Sequence, residues 1–317
     1  MKKYDIYAVG NAFVDLQFAV SDDVLKKLGC EKGGASLIDE EMENKLNFLL
    51  KEQTAKKFCG GSGANTLVAL HHEGGKGFYS CNIGSDAEGK LYHQDLRQHH
   101  IESIFDLQQP RHDITGRCYI LLTPDAERTL FTLVGASERI SAAELYEPAL
   151  LDSKGIFIEG FLFFSAHSKP LVGIAYEMAR KHKVKTIFTL STCPYSPQLK
   201  KELLATLHAG VDLLFCNEDE AKYFCGTENI KEILDELSQF AKQFVITRGK
   251  EGALLYDGNA CSTIPSIPTD VIDTTGAGDA FAGGFLYGYC RAYSFKEAGQ
   301  LATATAAKVI SKFGPRV

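Results

Sequence analysis

The chain has 317 residues, 45% apolar and 23% charged, enough to bury a large core and too apolar for a disordered chain. Its 40 acidic and 34 basic residues leave a formal charge of −6 with no basic run, which removes the electrostatic footprint of a nucleic-acid binder. No uncharged apolar stretch approaches a membrane span, and nine scattered cysteines without a C-x-x-C pair fit neither a disulfide framework nor a zinc site.

The opening residues 1–6 run directly into a strand-like stretch, which predicts no cleaved leader; with reduced cysteines this predicts a cytoplasmic protein. Residues 4–9 form a first buried strand. Residues 13–20 alternate, with Phe13, Asp15 and Gln17 on one side and Val14, Leu16 and Phe18 on the other. A strand at 78–83, a turn at Gly84-Ser85-Asp86 and a helix near 89–98 follow. Residues 115–133 hold two strand-like runs around Thr123-Pro124-Asp125-Ala126-Glu127, the composition of a hairpin turn. Then come a long apolar run at 156–164, a helix at 169–182 and strands at 184–190, 211–216 and 244–247. Apolar runs separated by helices predict βαβ units and a mostly parallel sheet. The alternating runs predict a small extra sheet, either a lid over a site or a plain edge extension. No repeat or long linker divides the chain.

The strongest local signal is Asp273-Thr274-Thr275-Gly276-Ala277-Gly278-Asp279-Ala280-Phe281. A strand-like approach through Val271 and Ile272 meets a glycine-rich turn, and a helix is expected from Ala280 to about Tyr289. Glycines let consecutive amides converge, and a helix start adds free N–H groups and the positive end of its dipole. Such a turn suits the charge of a transferring phosphoryl group. Asp279 there serves either as a helix cap or as a general base toward an attacking hydroxyl. A dinucleotide fingerprint fails, because Phe281 stands where the third glycine belongs; Gly61-Ser62-Gly63 fails likewise at Thr66. There is no Walker A loop.

This nine-residue string is similar to the second signature of the ribokinase (PfkB-type) carbohydrate and nucleoside kinases. Other runs resemble the family in the same order: Gly10-Asn11-Ala12-Phe13-Val14-Asp15, Gly60-Gly61-Ser62-Gly63-Ala64-Asn65, Asn217-Glu218-Asp219-Glu220, Thr247-Arg248-Gly249-Lys250-Glu251-Gly252 and Ser311-Lys312-Phe313-Gly314. The resemblance implies an α/β fold: one Rossmann-like, ribokinase-type domain over 1–317, a mostly parallel sheet flanked by helices, and a small β lid built from about 12–38 and 104–135. It makes Asp279 the base, and Gly276, Ala277 and Gly278 the anion hole. It assigns substrate binding to Asp15, Asn11, Gly60, Gly61, Ser62 and Asn65. ATP would lie along Thr247, Arg248, Gly249 and Gly252, with Arg128 of the hairpin reaching a phosphate. Asn217 and Glu220 resemble the N-x-x-E motif that organises Mg²⁺ through water, and K⁺ is implied near Asp273 and Thr275.

Within the family, the opening G-N-x-x-x-D and the run from Thr115-Gly116-Arg117 to Gly135-Ala136-Ser137 are similar to adenosine kinase-like members. A nucleoside needs an apolar slot for its base, for which Phe13, Phe161 and Leu162 are candidates, each also a plausible core residue. The expected activity is therefore transfer of the γ-phosphoryl group of ATP to the 5′-OH of a nucleoside such as adenosine. A kinase of a free sugar such as ribose or fructose, or a non-catalytic binding protein, are the alternatives. The expected partners are ATP and a small acceptor, with no nucleic acid or membrane, in a monomer or homodimer.

Overall fold

The computed structural model describes residues 2–110, 112–125, 127–191, 197–207 and 210–316. Met1 and Ala126, both used in the readings above, lie outside the described residues. The strands are β1 (Tyr4–Val9), β2 (Phe13–Ala19), β3 (Ala35–Leu37), β4 (Lys56–Gly60), β5 (Gly77–Ser80), β6 (Glu102–Ser103), β7 (Gly116–Leu122), β8 (Arg128–Leu133), β9 (Ser153–Glu159), β10 (Lys185–Thr189), β11 (Val211–Asn217), β12 (Ala241–Thr247), β13 (Ala253–Tyr256) and β14 (Cys261–Ile264). The helices are α1 (Asp22–Leu28), α2 (Glu40–Leu50), α3 (Ser62–His72), α4 (Ala87–Gln98), α5 (Glu147–Leu151), α6 (Lys169–Lys181), α7 (Pro197–Leu207), α8 (Glu218–Cys225), α9 (Ile230–Leu237), α10 (Ala277–Tyr289) and α11 (Phe295–Ile310).

Among the described residues, nine strands form one sheet in the order β14-β13-β12-β11-β10-β9-β1-β5-β6. It is parallel from β6 to β12 and antiparallel at the β13–β14 edge. β1, β9 and β10 are buried or nearly so along their length, as strands covered by helices on both faces must be. From β1 the strand order runs one way through β5 and the other way through β9. A crevice opens at such a switch point, outside the carboxyl ends of the strands.

A second sheet has the order β3-β8-β7-β2-β4. The alternation expected at 13–20 is observed: Val14, Leu16 and Phe18 are buried while Phe13, Asp15 and Gln17 are half-buried. The buried side chains join one core with Leu25 and Leu28 of α1 and Leu46 and Leu50 of α2. The opposite face carries Asp15, whose register partners are Phe58 and Cys118.

Four expectations need correction: the strand expected at 78–83 is β5, which ends at Ser80, and three more follow. The second sheet includes β4, outside the 12–38 and 104–135 bounds, because Phe13–Gln17 pair antiparallel with 56–60. The apolar run at 156–164 is not one strand: β9 ends at Glu159, and Gly160–Phe164 winds into a 3₁₀ turn. No strand leads into the glycine-rich turn; Val271 and Ile272 are 58% and 49% exposed, and Ile272 donates its N–H to Ile310 O at the end of α11. The described cysteines are free thiols; Cys193 lies outside the described residues.

Candidate active site

Helix α10 begins one turn earlier than expected, at Ala277, with Gly276 before it at φ 76°. That left-handed value favours glycine, and a Cβ there would stand 2.4 Å from Pro315 O. Further along, a Cβ on Gly283 would meet Thr66 O at 2.5 Å, and one on Gly284 would meet Thr305 Oγ1 at 2.5 Å. The glycines thus let α10 lie close between α3 and α11. This packing brings the N-termini of α3 and α10 together, two positive dipole ends facing one spot.

Asp279 sits in that spot. Ser62 Oγ donates to its Oδ1 at 2.6 Å and Asn65 Nδ2 to its Oδ2 at 2.9 Å. Burial raises its carboxyl pKa to about 6, against the opposing hydrogen bonds of Ser62 and Asn65 and the charge of Arg316; Glu220 adds to the rise. A carboxylate in that range is basic enough to take a proton from a hydroxyl and still ionised near neutrality. Among the described residues nothing accepts the N–H groups of Gly276 and Gly278, whereas Ala277 N–H donates to Thr274 O at 3.2 Å. The turn therefore offers an anion two of the three expected amides. Beyond its own turn of helix, a Cβ on Gly278 would meet no protein atom within 4 Å, so the space beside it is open.

The other motif residues gather around this point unequally. Asp15 accepts no hydrogen bond among the described residues; burial raises its pKa to about 7, with Arg316 opposing and Asp273 adding. Gly60 lies beside it, where a Cβ would stand 3.1 Å from Asp15 Oδ2. Gly61 has φ 101°, and a Cβ there would press on Asn11 O at 2.2 Å. Asn11 is buried at the end of β1 and receives Tyr79 OH on its carbonyl at 2.7 Å. Phe161, in the 3₁₀ turn, is 38% exposed; Leu162 is 1% exposed and belongs to the core, which removes it as a slot residue.

Asn217 and Glu220 form a capping box on α8: Glu220 N–H donates to Asn217 Oδ1 at 2.7 Å and Asn217 N–H to Glu220 Oε2 at 2.9 Å. Thr247 ends β12 beside them, its Oγ1 donating to Cys216 O at 3.4 Å. Gly249 and Gly252 take positive φ, 53° and 86°. Arg248 is paired with Glu218 and Glu251 rather than held free. Arg128 does reach the glycine-rich loop, but its Nη1 donates to Asp273 Oδ1 at 3.2 Å and Thr275 Oγ1 at 3.0 Å. Burial pushes the Asp273 pKa up, yet hydrogen bonds from Thr275, Arg128 and Gly314 outweigh it and hold the group at about 2.

Two site residues escaped the sequence reading. Glu159, fully buried at the end of β9, accepts Asn11 N–H at 2.6 Å and Gly63 N–H at 2.9 Å, tying the β1 loop to the start of α3. Burial raises its pKa to about 8 against those two donors. Its only signal in the sequence is an acid inside an otherwise apolar run. Arg316 has no sequence signal; its Nε donates to Asn65 Oδ1 at 2.9 Å and its Nη1 to Asp95. A cleft of about 490 Å³ lined by Lys185, Asp212, Gln243 and Tyr256 lies at the amino ends of β10–β12 and holds none of the motif residues.

A family model for pfkB family carbohydrate kinases matches residues 35–317. The chain is 26% identical to an adenosine kinase of Saccharomyces cerevisiae over 331 residues, spanning 98% of this chain and 96% of that protein. It is 29% identical to a ribokinase of Haemophilus influenzae over 268 residues, spanning 80% and 82%. The crystal structure of adenosine kinase from Sinorhizobium meliloti superimposes with a TM-score of 0.88 at 30% identity, over 99% of this chain and 96% of that one. The glycine-rich turn, the two-sheet architecture and these matches together place the chain in the pfkB family of carbohydrate kinases, phosphotransferases that act on an alcohol group of a nucleoside or sugar.

Proposed function

We propose that this kinase transfers the γ-phosphoryl group of ATP to the 5′-OH of adenosine, with Asp279 as the base. The observation that carries the reading is the Asp279 carboxylate, gripped by Ser62 and Asn65 where two helix N-termini meet, with Arg316 acting both on it and on Asp15, which accepts no hydrogen bond among the described residues. Asp15 accepts hydrogen bonds from the ribose diol, which a carboxylate's two oxygens suit. Asp279 takes the proton of the attacking hydroxyl, and the N–H groups of Gly276 and Gly278 face the transferring phosphoryl group. The aromatic residues Phe13 and Phe161, half-buried and 38% exposed, support a nucleoside over a free sugar, since an aromatic ring suits a base. The small sheet acts as a lid that excludes water and so limits wasteful ATP hydrolysis. The setting is cytoplasmic purine salvage; among the described residues no helix is long and apolar enough to cross a membrane.

ATP runs along Thr247, Gly249 and Gly252. No group of three or more His, Cys, Asp or Glu among the described residues is placed to cage a metal. The oxygen donors of Asn217 and Glu220 instead fit a Mg²⁺ that keeps its waters. Bound with ATP, Mg²⁺ neutralises phosphate charge. The carboxylate of Asp273 is engaged by Arg128, Thr275 and Gly314, which leaves K⁺ only main-chain carbonyls there, and no step is assigned to it.

The ribokinase-like stretch keeps a free-sugar kinase as the second reading. An ATP-dependent phosphorylation screen over adenosine, other nucleosides, ribose and fructose decides between them. Turnover of adenosine without free sugars is expected. Turnover of ribose or fructose alone moves the assignment to the sugar reading, and no ATP consumption with any acceptor returns it to a binding protein.

A further inference from the structure

We propose that Arg316 is a positioning residue for phosphoryl transfer: it locks the orientation of the Asn65 amide and sets its charge beside Asp279. The inference rests on the reading of Asp279 as the base. A guanidinium carries only donors, and an ionised carboxylate only accepts. Asn65 stands between them, with Arg316 Nε donating to its Oδ1 at 2.9 Å and its Nδ2 donating to Asp279 Oδ2 at 2.9 Å. Turning the amide over would set NH₂ against guanidinium and oxygen against carboxylate. Arg316 therefore leaves Asn65 a single orientation, the one that presents a donor to Asp279.

Arg316 is itself held from several elements. Asp95 of α4 accepts its Nη1, and the chain just before it is pinned where Gly314 N–H donates to Asp273 Oδ2 at 3.2 Å. Its Nη2 is buried with no acceptor among the described residues. The groups that act on Asp279 are Ser62 and Asn65 from α3, Arg316 from the segment after α11, and Glu220 from α8; Asp279 in turn acts on Glu159 of β9. Around Arg316 stand Asp95, Tyr92 and His99 at α4, Cys59 of β4 and Asp15 of β2. Arg316 is the cation in this set whose charge opposes the burial of Asp279. Removing it favours the protonated carboxyl, so the pH below which the base is lost moves up.

The test compares wild type, Arg316→Gln, Arg316→Lys, Asp95→Asn and Asp279→Asn, with ATP and whichever of adenosine or ribose the wild type phosphorylates. Melting curves confirm that each variant is folded. For Arg316→Gln we expect kcat to fall about tenfold to a hundredfold with the ATP KM within about twofold, and the acidic limb of kcat, read at saturating acceptor so that the Asp15 carboxyl on which Arg316 also acts is held by substrate, to move up by about half a unit to one unit. Arg316→Lys keeps the charge and should return the limb toward wild type while recovering only part of kcat. Should Arg316→Gln fail to fold, Asp95→Asn loosens the anchor and should lower kcat by several-fold. A limb that stays at the wild-type pH in folded Arg316→Gln overturns the proposal even if kcat drops, since lost packing alone would do that. Unimpaired turnover in Asp95→Asn overturns it when that variant is the one read. Wild-type turnover in Asp279→Asn instead overturns the base assignment itself; a dead Asp279→Asn with an unmoved limb in Arg316→Gln sinks only the role of Arg316.

Discussion

As the proposed base, Asp279 carries two constraints at once: it must be ionised to accept a proton, and its surroundings penalise the charge. Ser62 Oγ, Asn65 Nδ2 and Arg316 compensate part of that penalty, and the balance leaves its pKa at about 6. The acidic limb of kcat, at saturating acceptor, should therefore fall about tenfold per pH unit below about pH 6. Asp279→Asn should lose at least about a hundredfold in kcat at pH 7.5. Its folded pKa lies above the usual carboxylate value, so ionisation costs the fold stability as pH rises from about 4 to about 6. Removing the charge should then leave the melting temperature at pH 8 no lower than wild type, and a collapsed melt would mean the lost activity reports unfolding instead. The sequence alone left Asp279 between cap and base. Its partners Asn65 and Ser62 lie 214 and 217 residues away, so no local pattern could show them.

At the scale of the element, α10 separates two uses of glycine that look alike in sequence. Gly283 is a contact glycine, where a Cβ would press on the α3 backbone at 2.5 Å, whereas Gly278 faces open space. Gly283→Ala should destabilise by about 1–3 kcal/mol through forced separation of α3 and α10. Gly278→Ala should keep or raise stability, by up to about 1 kcal/mol from helix propensity, and lower kcat by tenfold or more, because the methyl enters the space left for the phosphoryl group. Denaturant titration beside steady-state kinetics checks both; a Gly278→Ala enzyme of wild-type kcat would sink the anion-site reading. Periodicity located β1, β2, the β7–β8 hairpin and α6 closely. It missed β4, since Lys56, Lys57 and Phe58 do not alternate and their strand exists only by pairing with β2. It also overran β9, where Glu159 ends the strand inside a run whose apolarity continues into the 3₁₀ turn.

On the scale of the whole molecule, the small sheet reaches across to the glycine-rich loop. Arg128 of β8 reaches Asp273 and Thr275, while Arg117 of β7 pairs with Glu43, Asp86 and Glu88 of the flanking helical regions. If the small sheet closes over substrate, hydrogen exchange of the β2, β7 and β8 amides should slow severalfold on adding adenosine with a non-hydrolysable ATP analogue, with little change at β10. Equal exchange with and without ligands would refute the lid. What the sequence by itself determined is the α/β class, the alternating sheet and the residue types of the site, because periodicity and glycine-rich turns are local properties of the chain. Only the tertiary structure decided which of these residues act together. Arg316 meets Asn65 across 251 residues, Glu159 joins Asn11 to Gly63, and Arg128 settles on Asp273 rather than in solvent. Hydrogen-bond partners over such distances follow from how strands and helices pack, and no local pattern encodes them.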